Sequence, residues 1–526
     1  MIHIPLTRSM PRASGCAGLV VAAALAWPGV LPAQQAVIAA RTWADRNAAA
    51  LVGELRDFVA LKNVAGDSAT IRRNARALVA MLERRGVVAR ILETGAEPIV
   101  YGEIGDPSLP AILFYCHYDG QPVDPSGWTQ ADPWSPVLRT AAIEAGGTEV
   151  ARWPGPGERV DPEWRLYARS ASDDKAPIVV LLQILDAWRA AGVTPPNHLK
   201  FIFEGDEEAG SRHLAGTARR YRDLLAADLA VMADGPIHPT GRPSAFFGLR
   251  GMSGVTITVY GPVRPLHSGH YGNWAPNPAM RLAQLLSSMK GPNGEVLVAG
   301  WEDDRVPLGP ADRTALAAFP HDDEQQRLQF QLGGVDGNGA TRHELIARPS
   351  LNIRGMRSLF VGAEARTLVP DVAVATLDLR LVAGNDPTRQ AEKVARHVEA
   401  QGYEVVRDEP DSATRVNAPR LARIVGGSGY PAGRTPLDHP AAQAVVKALG
   451  ETGLGRPVVV PTMGGSGPAY VFTDILRMPF VVVPIVNHDN NQHAENENVR
   501  VGNLLKGMEI LAAVASANVP PARVAP

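Results

Sequence analysis

Cysteine is almost missing from this chain: Cys16 and Cys116 are the only two in 526 residues. Cys16 lies in an N-terminal stretch where Arg8 and Arg12 precede the short apolar run "GCAGLVVAAALAW" and then "PGVLPAQQ". That charged, apolar and small-residue order is the pattern of a secretory signal. Residues 1–33 therefore read as a signal peptide cleaved after Ala33, and the mature protein as exported to a bacterial periplasm or the medium. Cys16 precedes the apolar segment instead of following it, which argues against a lipoprotein site. Without that segment Cys116 stands alone, so no internal disulfide is open to the mature chain and its core or a metal must hold it together. A surplus of either charge is absent as well: 52 Lys and Arg against 54 Asp and Glu give a formal net charge of −2. With no basic excess to neutralise phosphates, nucleic acid is excluded as a partner. The apolar run is too short to favour a membrane span, with an uncleaved anchor as the alternative, and no stable span is expected once the signal is gone. Fixed-period repeats and low-complexity tracts are missing too. A chain of 526 residues exceeds one simple core, which points to two ordinary globular domains.

What is present is an alternation of helical and extended patterns. Residues 37–86 carry two helices, the second capped by Ser68 and stopped by Gly86. "AILFYC", "LKFIF", "DLAVMADG" and "PFVVVPIVNHD" contain short continuous apolar runs of buried-strand type, and "APIVVLLQILDAWRAAG" is a helix apolar on most sides. These define an α/β domain with a mostly parallel sheet covered on both faces. Between about Gly248 and Gly433 the texture changes. "VTITVYG" and "VAVATLDLRL" alternate with period two, and two amphipathic helices accompany them, one with Asp386 as cap, Pro387 in the first turn and Gly402 at the stop. Such units suit an α+β domain with its helices on one sheet face. "GNGATRHE" and "GGSGYPAGRTP" read as loop and linker. The expected organisation is a catalytic domain in two pieces, residues 34–247 and 434–526, interrupted by an inserted domain of residues 248–433.

Negative charge concentrates in "FIFEGDEEAGS", with Glu204, Asp206, Glu207 and Glu208 at the end of one apolar strand. Carboxylates this close repel strongly once desolvated, so the patch needs a cation, protonation or full exposure to water. The other strands end similarly: "FYCHYDG" in His117 and Asp119, "AVMAD" in Asp234. Asp173 and Asp174 precede the buried helix, and His488 and His493 follow the last apolar strand. Taken singly, each has an ordinary structural explanation as a core histidine, a helix cap or a turn residue. Ligands in open α/β sheets bind at the carboxyl ends of the strands, where these positions can converge. Two imidazoles with several carboxylates suit zinc. Two-metal hydrolytic sites hold their ions roughly 3.5–4 Å apart around a shared water, so one of two adjacent glutamates can bind metal while the other acts as general base. Arg380 shares the polar phase of its strand with Thr376 and Asp378. It either pairs with Asp378 on a solvated face or presents a guanidinium fork to a carboxylate.

In order and spacing, "HYDGQP", "LYARSASDDKAP", "FEGDEEAGS", "MADG", "LHSGHYGN", "GGSGP" and "HAENE" resemble the M20 metallopeptidases, above all a dipeptidase branch similar to carnosinases and cytosolic non-specific dipeptidase. The resemblance spans nearly all of the mature chain. It implies an α/β, phosphorylase/hydrolase-like catalytic domain holding two zinc ions, with manganese or cobalt as alternatives, and an inserted ferredoxin-like lid that forms a homodimer. Carried over by position, His117 and Asp234 are ligands of one zinc, Glu208 and His493 of the other, and Asp173 is the bridge. Glu207 resembles the general base, and Asp119 orients His117. His267 stabilises the oxyanion, commonly across the dimer. Arg380, Thr367, Gly465 and Ser466 resemble the residues that contact substrate. The implied substrates are dipeptides or short peptides with a free carboxylate. N-acyl amino acid deacylation or carboxypeptidase activity is the alternative on the same fold, and a non-catalytic scaffold would be expected to have lost Glu207 or a ligand. Ala168, Ser170 and Ala176 stand where the family usually has glycine, so a shifted Asp173 loop is expected. Met463 stands where the branch often has an acid.

Overall fold

The computed structural model describes residues 1, 32–426 and 429–521. Of the expected signal segment, all but Met1, Pro32 and Ala33 lies outside them. Among the described residues, no helix is long and apolar enough to cross a membrane.

Eight strands form the larger sheet. In spatial order they are Val88–Leu92, Ile99–Ile104, His198–Glu204, Ala111–His117, Leu229–Met232, Phe480–Val482, Ser244–Phe246 and Val458–Val460. Its centre, from His198–Glu204 to Phe480–Val482, is parallel, while Val88–Leu92 and Ile99–Ile104 run antiparallel at one side and Ser244–Phe246 opposes Phe480–Val482. The sheet is thus mixed, with the expected parallel strands as its core. Burial of both faces explains the unbroken apolar runs. On one face the helices Pro32–Val59, Lys175–Ala191 and Val501–Ala515 pack together through Leu51, Val52, Leu55, Val179, Leu182 and Leu511. On the other, Tyr115 meets Phe472 edge-on and Phe472 stacks on Phe480. Each of these large buried side chains contributes roughly 1.5–3 kcal/mol by leaving water.

The second sheet has the order Ser350–Arg357, Val372–Leu381, Gly248–Tyr260, Leu421–Gly426 and Glu404–Val406. Helices Pro278–Met289 and Pro387–Ala400 cover one face through Leu282, Leu286, Val394 and Val398, which pack with Val255, Ile257 and Leu377. Strand, helix, two strands, helix and strand in that order make a ferredoxin-like α+β unit, with Glu404–Val406 as an added edge. Along Val372–Leu381 burial alternates residue by residue, leaving Thr376, Asp378 and Arg380 on the face without helices. Gly248–Tyr260 follows Ser244–Phe246 of the larger sheet after a single residue. Its first residues pair with Gly433–Arg434 and Met463–Ser466, and its remainder lies in the second sheet.

Some local expectations differ from the fold. The helix Ser68–Glu83 is capped by Asp67, whose carboxylate accepts the Thr70 N–H, while the Ser68 hydroxyl turns to Glu97. The "GNGATRHE" segment is not wholly loop: Arg342–Ile346 is a short helix started by a capping box of Thr341 and Glu344. Part of "GGSGYPAGRTP" is the strand Gly433–Arg434. Asp386 does cap its helix, accepting from the Arg389 N–H at 2.8 Å.

Candidate metal centre

At the carboxyl edge of the larger sheet, five segments bring the acids and imidazoles together, the fifth being the loop of His493. His117 ends the strand Ala111–His117, and the Glu207–Glu208 turn follows His198–Glu204. Asp234 lies two residues beyond Leu229–Met232, and Asp173 and Asp174 precede the helix Lys175–Ala191. Asp173 spans the cluster, with Oδ1 2.8 Å from His117 Nε2 and Oδ2 3.1 Å from His493 Nε2. His493 Nε2 is also 3.3 Å from Glu208. Two groups of potential ligand atoms gather within 4.8 Å: His117 with Asp173 and Glu208, and His117 with Asp174 and Asp234. Sequence alone gives Asp174 no role beyond its pairing with Asp173, yet in the fold its Oδ1 is buried with no hydrogen-bond partner.

The acidic strand end divides by direction. Glu204 turns inward, accepting from the Tyr115 and Ser211 hydroxyls. Asp206 meets His213 at 3.2 Å. Glu207 and Glu208 face the cluster. Fully buried Asp119 couples its two halves: a carboxylate oxygen lies 3.3 Å from His117 Nδ1, and the carboxylate accepts the Glu207 and Glu208 backbone N–H groups at 3.3 and 3.0 Å.

Glu497, the last residue of "HAENE", carries no local signal of its role in the sequence. Fully buried, it accepts from the backbone N–H groups of Ser170, Ser172 and Asp173, from the Ser172 hydroxyl and from Arg169. It fastens the loop of Asp173 to the loop of His493. Ser170 takes the left-handed conformation, φ 61°, that favours glycine, and its hydroxyl accepts from Asn63 at 2.9 Å. Lys175 is buried on the far side, its ammonium donating to the carbonyls of Phe58 and Leu61 and to Asn74.

Electrostatics show why these groups fit a divalent cation. Burial pushes Glu207 well above the usual carboxylate range, Glu208 up to about 7 and Asp234 up to about 6. A hydrogen bond to Asp173 raises His493 to about 9. Burial opposes ionisation of Asp173, but hydrogen bonds from His117 and His493 outweigh it and hold that carboxyl low. Protons thus occupy sites whose donor chemistry, imidazole and carboxylate with an orphaned Asp174 oxygen, suits zinc. At Glu208, Asp234 and His493, all raised, the metal-free folded state binds more protons than the unfolded chain between about pH 4 and 9. The stability these three groups contribute is present at the acid end of that window and is lost as pH rises through 6, 7 and 9. Chelator-treated protein is therefore expected to lose Tm from pH 5 to 9, with added zinc restoring more at higher pH. A flat difference between metal-loaded and metal-free Tm across that range would contradict this.

The cleft beside the cluster, about 300 Å³, is lined by Asp173, Glu207, Asp234, His493, Gly465 and Ser466 among others. Arg380 does both things expected of it, with Nε 3.0 Å from Asp378 and a terminal nitrogen donating to the Ser466 hydroxyl at 2.7 Å. His267 and Thr367 do not line this cleft. They share an exposed ribbon on which Leu266–His267 pairs with Leu368–Val369 and the Ser268 N–H donates to the Thr367 carbonyl. The His267 ring packs on His270, with centroids 4.7 Å apart.

An α/β sheet carrying such a cluster at its carboxyl edge defines a metal-dependent hydrolytic enzyme. The chain belongs to peptidase family M20/M25/M40, whose profile matches residues 113–517. It is 27% identical over 420 residues to Cys-Gly metallodipeptidase dug1 of Schizosaccharomyces pombe, covering 78% of this chain and 81% of that one. It is 26% identical over 423 residues to the Beta-Ala-His dipeptidase of Homo sapiens, covering 79% and 76%. Among solved structures it resembles the M20 family metallo-carboxypeptidase Sso-CP2 from Sulfolobus solfataricus, with a TM-score of 0.70, 25% identity, and 89% and 98% of the two chains covered.

Proposed function

We propose that this peptidase hydrolyses the amide bond of dipeptides and other short substrates that end in a free carboxylate. The observation that carries the reading is the convergence of His117, Asp173, Glu208, Asp234 and His493 around Glu207, with the Arg380–Ser466 pair bordering the same cleft. The dipeptidases and the carboxypeptidase it resembles act on substrates of this kind by their names. His117 and Asp234 are proposed to hold one divalent ion, Glu208 and His493 a second, and Asp173 to bridge them. Zinc is the preferred metal, manganese or cobalt the alternatives. When bound, the ions supply Lewis acidity that polarises the scissile carbonyl and lowers the pKa of the attacking water.

Glu207 takes a proton from that water and returns it to the leaving nitrogen. Asp119, beside His117 Nδ1, holds the ring in the orientation that points Nε2 at Asp173, where it would serve as a ligand. Arg380 and Ser466 bind the terminal carboxylate, with the Gly465 backbone beside it and Thr367 assisting. His267 donates to the oxyanion. Because His267 and Thr367 stand outside the cleft of their own chain, His267 is proposed to reach a partner's site in a homodimer. Export is proposed on the N-terminal pattern of residues 1–33.

The test is turnover of a dipeptide panel by metal-reconstituted protein before and after chelation. Activity that requires added metal is expected, and activity indifferent to chelation would defeat the reading. Arg380→Lys keeps the charge but loses the planar fork. It is expected to raise KM roughly 10–100-fold, the equivalent of about 1.5–3 kcal/mol for hydrogen bonds to a charged group, with a smaller change in kcat. Steady-state kinetics on one dipeptide checks this.

A further inference from the structure

Arg250 stands beside Ser466 on the long strand Gly248–Tyr260, yet it does not line the cleft. It is only 6% exposed, and its Nη2 lies 2.8 Å from the carbonyl oxygen of Arg348, 3.1 Å from the Ser350 hydroxyl and 3.3 Å from the carbonyl oxygen of Arg380. Ser350 and Arg380 are themselves partners across neighbouring strands, so one buried guanidinium grips both members of that pair. The main chain of Arg380 is thus held from behind, while its side chain reaches Asp378 and Ser466.

All three acceptors of Arg250 are neutral, and its Nε is buried with no partner. A buried cation without a carboxylate of its own is costly, and a neutral amide side chain could donate to the same oxygens. Burial first, and the charge of Arg380 second, bring the Arg250 guanidinium down to about 10, with Asp378 pulling the other way. It remains a cation at neutral pH. Arg250 and Arg380 therefore share the one carboxylate of Asp378, which leaves a positive charge in excess among the three. A substrate carboxylate on Arg380 and Ser466 balances the set.

We propose that Arg250 is a positioning residue for the substrate's terminal carboxylate, seating Arg380 through its main chain and adding a buried positive charge behind that guanidinium. This rests on the reading of Arg380 and Ser466 above and extends it to a residue outside the cleft. Ala-Leu and Ala-leucinamide are a matched pair, differing only in the charge of the carboxyl end. Arg250→Gln keeps a donor for the carbonyls and loses the charge. In the metal-loaded variant the preference for Ala-Leu over its amide is expected to fall about 10-fold, through KM and not kcat. Arg250→Lys keeps the charge and is expected to hold that preference within about threefold of the unaltered protein. An unchanged preference in Arg250→Gln would overturn the proposal. So would an equal loss on both substrates, which marks a purely structural role, or an Arg250→Lys protein no better than Arg250→Gln. Arg250→Met is the second neutral variant where Arg250→Gln lacks native circular dichroism, and loss of the fold in both would overturn the proposal as well. An unaltered protein that does not distinguish the two substrates would remove the carboxylate reading of Arg380 itself, and turnover of neither would remove the hydrolytic one.

Discussion

Glu207→Gln is expected to lower kcat by about 10²–10⁴-fold, the usual contribution of a positioned general base. The amide preserves the size of the side chain and removes its ability to take a proton. Glu207 faces the cluster from a turn held by Asp119, which accepts the Glu207 backbone N–H, and that bond does not involve the altered group. Metal content and Tm should therefore stay close to those of the unaltered protein while turnover collapses. KM should move little, because the Arg380–Ser466 pair, the proposed carboxylate clamp, is untouched. Burial already holds the Glu207 carboxyl well above its usual range, with the negative field of Asp234 and Glu208 adding to it, so replacing a buried acid by a neutral amide carries no large folding cost. Rate, bound zinc by atomic absorption and thermal melting on the same preparation separate the outcomes. Retained turnover in a zinc-loaded Glu207→Gln protein would remove Glu207 from the chemistry.

Glu497→Ala is expected to cost roughly 3–5 kcal/mol of stability, because Arg169, only 3% exposed, would be left as an uncompensated buried charge. Three backbone N–H groups and the Ser172 hydroxyl would lose their acceptor as well. Glu497→Gln is the finer probe. It preserves the volume and one carbonyl oxygen, yet presents an NH₂ to donors that need an acceptor. With Asp173 no longer held in register between His117 and His493, metal affinity should fall about 10–100-fold, as it does when groups supporting metal ligands are changed. High zinc should then recover part of the activity of Glu497→Gln and none of that of Glu207→Gln. A Glu497→Gln protein that binds zinc as tightly as its parent would show that the Asp173 loop holds itself in place.

The parallel core of the large sheet could be read from sequence because its strands are buried on both faces and therefore written as unbroken apolar runs. The ferredoxin-like unit was equally visible, since one-sided burial prints a period of two on "VAVATLDLRL". Legibility failed where a short polar segment takes its structure from a few side-chain bonds. The helix Arg342–Ile346 depends on its Thr341 and Glu344 box, and Asp67 displaced Ser68 as a cap by reaching the Thr70 N–H. In the cluster, strand-end positions pointed to His117, Glu208 and Asp234. Glu497 was hidden because burial of a carboxylate has no local pattern. Its partners lie more than 320 positions away, and only the folded chain brings Arg169 and Ser172 to it.

The proposed clamp for the substrate's carboxylate is assembled along one long strand, Gly248–Tyr260. Arg380 stands opposite Met252 in the second sheet, whereas Ser466 runs beside Arg250 at the start of the same long strand. A carboxylate seated there would tie together the neighbours that this strand has on its two sides. The amino acid released by hydrolysis carries that same carboxylate, so a free amino acid at high concentration is expected to compete with substrate for the clamp.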